Sequence, residues 1–107
     1  MAISIIVMGA AGRMGATISR LVEEADDLAL VAVVERPEAE ARLAGYAASG
    51  VFASSDVAAA AAQFPGAVII DFTAPEASMV NARAAAAAGC PIIIGTTGFS
   101  EEQLAEL

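Results

Sequence analysis

Histidine, lysine and tryptophan are absent from these 107 residues, and cysteine occurs once. Each absence excludes something. Without His or Lys the commonest general acid–base groups are missing, so the chain alone is poorly equipped for proton transfer. One Cys and no His cannot assemble the usual nitrogen and sulfur ligands of a metal site. One Cys also gives no disulfide framework, which fits a reducing, cytoplasmic setting. Cys90, before Pro91 at the start of an apolar run, reads as a buried structural thiol. Five arginines are the only cationic side chains against 13 acidic residues, for a net charge of −8. That balance argues against nucleic acid, which needs a basic face. It leaves room for a small anion, because backbone amides hold one without side-chain cations. No apolar stretch approaches the roughly 20 residues that span a bilayer. No basic residue precedes the first apolar run, so that run reads as a strand and not as a secretion signal.

What is present is apolar and regular. Hydrophobic residues make up 58% of the chain, and much of that is alanine in runs such as Ala84 to Ala88, which suggests helix. The length suits one domain with a single core. The stretch Gly9-Ala10-Ala11-Gly12-Arg13-Met14-Gly15 organises the rest. It follows the strand-like run Ile3 to Met8. It precedes a segment with helical periodicity, in which Met14, Ile18, Leu21 and Val22 share a face. Strand, glycine turn and helix in that order form a phosphate-binding turn. The backbone can approach a pyrophosphate closely, and the N–H groups and dipole of the new helix face the anion.

The pattern then repeats. The first helix is expected to run to about Ala25. Leu28 to Val34 reads as a second buried strand, stopped by Pro37. Glu38 to Gly50 suggests only a short helical turn or a loop. Val51 to Ala53 suggests an edge strand, and Asp56 offers a cap to a helix over Val57 to Gln63. Ala67 to Ile70 is a third buried strand, ending in Asp71-Phe72-Thr73. Pro75 suits the first position of a helix that closes at Gly89. Pro91 to Ile94 is another strand, followed by Gly95-Thr96-Thr97-Gly98. Ser100 with Gln103 makes a capping box for a last helix. This is the α/β pattern of a Rossmann-like, doubly wound parallel sheet. A last helix of two turns caps little, so the chain is expected to be the front part of a larger protein.

In such sheets ligands bind beyond the carboxyl ends of the strands. The glycine turn, Glu35-Arg36, Asp71-Phe72-Thr73 and the Gly95 loop all fall there. Glu35 lies about 20 residues past Gly15, where a dinucleotide fold places an acid on the adenosine ribose. A carboxylate there favours NADH; the neighbouring Arg36 can pair with a 2′-phosphate, which favours NADPH. The alternative is a solvated ion pair at a strand end. Arg13 either reaches a phosphate or only solvates the helix start. Asp71 reads first as a loop brace and second as a general base. Phe72 and Thr73 line the nicotinamide side, or Phe72 belongs to the core.

Together these motifs resemble one family. Val7 to Gly15, Glu35-Arg36, Asp71-Phe72-Thr73-Ala74-Pro75-Glu76 and Ile94-Gly95-Thr96-Thr97-Gly98-Phe99 are similar to the amino-terminal domain of 4-hydroxy-tetrahydrodipicolinate (dihydrodipicolinate) reductase. The resemblance implies that Gly9, Ala10, Ala11, Gly12, Arg13 and Met14 hold the pyrophosphate. It implies Glu35 on the ribose, Arg36 on the NADPH phosphate, and Gly95, Thr96 and Thr97 near the nicotinamide half. Ala11 stands where the family often has another glycine; its backbone amide is expected to point outward all the same. The implied reaction of the intact, homotetrameric enzyme is hydride transfer from NADH or NADPH to a small, cyclic, unsaturated dicarboxylate in lysine and diaminopimelate synthesis. The family's His-His-Arg-x-Lys and Ser-Gly-Thr segments, which supply the proton and grip the substrate, have no counterpart here. The chain by itself is therefore expected to bind cofactor weakly or not at all and to turn nothing over. Rival readings are a nucleotide-sensing module, a CoA-binding domain with a similar glycine turn, and another Rossmann reductase such as a semialdehyde or homoserine dehydrogenase.

Overall fold

Continuous runs of Ile, Val, Leu and Ala build the sheet, because strands buried on both faces need apolar side chains at every position. In the computed structural model, which describes residues 2–107, these are β1 (Ile3–Met8), β2 (Leu28–Val34), β3 (Phe52–Ser54), β4 (Val68–Asp71) and β5 (Ile92–Ile94). All pairings are parallel and the order is β3-β2-β1-β4-β5. Ile6, Val7, Ala32, Val33 and Ile69 have no exposed surface. Side chains alternate between the faces. Ile6, Met8, Ala32 and Val34 pack toward α3 (Val57–Gln63) and α4 (Pro75–Ala88). Ile5, Val7 and Val33 pack with Val22 of α1 (Arg13–Glu24) and with Leu43. Helical segments thus cover both faces, as the alternating sequence implies.

The expected caps are in place. Asp56 accepts from the Ala58 amide at 2.9 Å. Ser100 and Gln103 bond reciprocally at 3.1 and 2.8 Å and open α5 (Glu101–Glu106). Pro75 begins α4, and Gly89 closes it in the left-handed conformation. The short edge strand expected at 51–53 forms one residue later, at Phe52–Ser54.

Two expectations need correction. The face of α1 that meets the sheet is Gly15, Ser19 and Val22, while Met14 and Leu21 are half exposed. The helix comes so close to the turn at Gly15 that small residues must face inward, and the larger ones ride at its flanks. Ser19 satisfies its buried hydroxyl by donating to the Gly15 carbonyl at 2.8 Å. The segment after Pro37 is also more regular than a turn or loop. It forms a 3-10 helix over Pro37–Leu43 that runs directly into α2 (Ala44–Ala48). Ala39 and Leu43 are its buried anchors.

On the outer edge β5 leaves Ile93 exposed. There Arg83 of α4 grips Glu106 of α5 through two hydrogen bonds, at 2.7 and 2.8 Å. These bonds hold the Glu106 carboxyl below its usual range. Both side chains are solvated, so the pair contributes little. Among the described residues no helix is long and apolar enough to cross a membrane.

Candidate functional site

A parallel sheet puts all its carboxyl ends on one edge, and a crevice opens where neighbouring connections leave in opposite directions. Here that point lies between β1, whose chain proceeds to β2, and β4. A cleft of ≈ 690 Å³ occupies it, bounded by Gly9 and Gly12 on one side and by Phe72 and Thr73 on the other. Glu35, Arg36 and Arg42 stand at the β2 end.

The glycine turn is built by contact as much as by flexibility. Gly9 has φ +65°, a conformation that L side chains rarely adopt, and a Cβ there would lie 3.0 Å from Thr73 Cγ2. A Cβ on Gly15 would overlap the Gly9 carbonyl oxygen and come within 2.8 Å of the Ala10 Cα. Gly15 therefore sets how closely α1 sits on the turn. The amides of the turn itself are engaged. Gly9 and Ala10 donate to the Val34 carbonyl at 2.8 and 3.4 Å, and Gly12 donates to the Gly9 carbonyl at 3.0 Å. Ala11 donates to Glu35 Oε2 at 3.0 Å. The outward-pointing amide expected at Ala11 is thus turned to a carboxylate of the protein. The donors left for an anion are those of the first turn of α1, which have no helical partner before them. They begin at Arg13 and Met14, both exposed.

Glu35 is held twice, since its Oε1 accepts from the Arg36 amide at 3.0 Å. A carboxylate has about four acceptor positions, so two stay open after the two amides. Arg36 is a loose, solvated partner of Glu38 at 3.6 Å. Arg42 reaches back from the 3-10 helix and donates from Nη2 to the Ala11 carbonyl at 3.1 Å. Nothing in the local sequence pattern singled out Arg42. Its signal was Leu43 beside it, an apolar anchor in an otherwise polar and alanine-rich stretch.

Beyond β4 the chemistry is internal. Asp71 is fully buried. Its Oδ1 accepts from the Thr73 amide at 3.0 Å and from the Thr73 hydroxyl at 2.6 Å. Thr96 Oγ1 accepts from the Thr73 amide at 2.9 Å and from the Ser78 hydroxyl at 2.7 Å. The Gly95 amide donates to the Asp71 carbonyl at 2.8 Å. The Asp71 side chain thus braces the loop after β4 at Thr73, its carbonyl and the Thr73 amide tie that loop to the one after β5, and the buried carboxylate has no open path to a substrate. Ser78 completes this network, and neither its role nor the buried Asn81 on the cleft wall was foreseen. Thr96 lies inside the network and Gly95 behind Phe72; neither they nor Thr97 line the cleft.

Phe72 is in the cleft wall and 40% exposed, not in the core. Its ring lies where a Cβ on Gly95 would be. The Gly95→Ala variant is expected to push the ring outward at a cost of about 1 kcal/mol, because only the free end of one side chain must move. Urea unfolding would check the cost, and an altered chemical shift of the Phe72 ring protons would check the displacement. A loss beyond about 3 kcal/mol would mean that the ring cannot yield.

The family model described as dihydrodipicolinate reductase, N-terminus, matches residues 3–107. The chain belongs to this family. A 4-hydroxy-tetrahydrodipicolinate reductase of Nitratidesulfovibrio vulgaris (strain DP4) is 60% identical over all 107 residues. Those of Oleidesulfovibrio alaskensis and Moorella thermoacetica are 50% identical over 107 residues and 40% identical over 108, covering 100% and 98% of this chain. In each case the match covers 40% of the relative's own length. The dihydrodipicolinate reductase match takes in every element from β1 to α5, including the 3-10 helix that carries Arg42.

Proposed function

We propose that this chain is the part of a 4-hydroxy-tetrahydrodipicolinate reductase that holds NADH or NADPH. The observation that carries the reading is Glu35, pinned by two backbone amides at the edge of the crevice with two acceptor positions open. Such a carboxylate suits a pair of vicinal ribose hydroxyls. It needs no reorganisation on binding, which lowers the entropic cost.

The other residues fit the same ligand. The partnerless amides at Arg13 and Met14, with the positive end of α1, suit a pyrophosphate. Thr73 and Phe72 bound the opposite wall, on the side where the nicotinamide half would lie. The cofactor supplies hydride when bound. The chain's own contribution is positioning: a dinucleotide fixed at both ends makes transfer effectively unimolecular. The acceptor of the whole enzyme is a cyclic, unsaturated dicarboxylate reduced to tetrahydrodipicolinate. Its proton comes from outside these residues, which hold no His or Lys.

The test is titration of the 15N-labelled chain with NADH, NADPH and CoA at one ionic strength, read by amide shifts into the millimolar range. Saturable shifts at Arg13, Met14 and Glu35 with either dinucleotide are expected, weakened about tenfold or more when Glu35 and Arg36 are both alanine. Saturable shifts with CoA alone, or none with any of the three, would overturn the reading.

A further inference from the structure

Glu35 creates a problem for one of the two cofactors. A ribose diol donates to the carboxylate, but a 2′-phosphate brings a charge of about −1.5 to −2 against it. A site that accepts NADPH needs a cation close by, held where the carboxylate does not neutralise it. Two guanidiniums line this part of the cleft. Arg36 is solvated and shared with Glu38. Arg42 is exposed as well, but among the described residues no carboxylate pairs with it, and it is tethered to the turn through the Ala11 carbonyl.

The tether sets the geometry. Glu35 takes the N–H of Ala11 and Arg42 takes its C=O. The two charges are thus anchored to the same residue and yet form no ion pair with each other. A guanidinium has five N–H donors, and one is engaged here. The rest of the fork is available to a phosphate, for which it is geometrically suited. Its base is rigid, because Leu43 and Ala39 bury the 3-10 helix against the sheet.

We infer that Arg42 is a specificity-determining residue, a tethered cation that receives the 2′-phosphate of NADPH beside Glu35. This inference rests on the dinucleotide reading above. It assigns the decision between the two cofactors to the 3-10 helix as well as to the end of β2.

The test measures NADPH and NADH dissociation constants for the wild-type chain and for Arg42→Ala, Arg42→Gln and Arg42→Lys. Glutamine removes the charge and keeps a neutral polar side chain, with its donor two bonds nearer the backbone than Nη2. Arg42→Ala and Arg42→Gln are expected to weaken NADPH about tenfold or more and to change NADH less than about twofold, while Arg42→Lys falls between. The salt dependence of NADPH binding should flatten in the two neutral variants. Equal losses for both cofactors in Arg42→Ala and Arg42→Gln would reduce Arg42 to a brace for Ala11 and overturn the inference. So would unchanged affinities in all variants, with dinucleotide binding itself left standing. A wild-type chain that binds neither cofactor would remove both readings together.

Discussion

Gly15→Ala is expected to lower the stability of the chain by about 3 kcal/mol or more, enough to unfold much of a marginally stable domain. The added methyl would overlap the Gly9 carbonyl oxygen and press on the Ala10 Cα at 2.8 Å. Both obstacles are backbone, so no rotamer change relieves them. Either α1 lifts off the sheet or the turn shifts, and each choice disturbs Val22, Val7 and Ile5 beneath. Gly45→Ala is the control. It lies in α2 with nothing within 4 Å of the new methyl, so it should gain up to about 1 kcal/mol from helix propensity alone. Urea midpoints of the two variants against wild type would separate them. A wild-type midpoint for Gly15→Ala would mean that α1 does not rest on the turn as described.

The second large effect is expected at Asp71, and it depends on which residue replaces it. Asp71→Ala removes the acceptor of two hydrogen bonds from Thr73 and leaves a void at a fully buried position. A loss of about 2–3 kcal/mol follows. The Thr73 amide keeps its bond to Thr96, which limits the damage. Asp71→Asn is expected to stay within about 1 kcal/mol of wild type. It retains Oδ1 and replaces Oδ2, which has no partner, with an uncharged group. Removing a buried charge without a counter-ion offsets the imperfect hydrogen bonding. Thermal melts of both variants would check this. Equal losses would show that the negative charge itself, and not the acceptor at Oδ1, holds the loop after β4 at Thr73.

The strands and caps were legible because their signals are local. Continuous Ile and Val runs mark β1, β2 and β4; Pro75 and the Ser100–Gln103 box mark helix starts within a single turn of chain. The glycine turn was legible for the same reason. Three things were not. Hydrophobic periodicity points to the wrong face of α1 because it rewards size, whereas a helix lying this close to a backbone turn must present its smallest residues. The helices after Pro37 were hidden in a stretch of alanines and charges with one strong anchor, Leu43. The partners of Ala11 were invisible because they are long-range. Glu35 and Arg42 reach it from 24 and 31 residues away, and no local pattern encodes such contacts. The Asp71–Thr73–Thr96–Ser78 network is a mixed case. Asp71, Thr73 and Thr96 stand in legible motifs and Ser78 does not; only their proximity turns candidate chemistry into a brace.

The place of β1 in the middle of the sheet has a consequence for biosynthesis. β1 needs a partner on each side, both lie after it in the chain, and they arrive at very different times. β2 follows within a few dozen residues. The neighbour on the other side is β4, where Val68 pairs with Ile5. Until that stretch has been synthesised, one edge of this apolar strand has no native partner, and the β1 wall of the cleft lacks its counterpart. A nascent chain with such an edge is open to wrong pairings, and this is the interval in which a chaperone has something to cover.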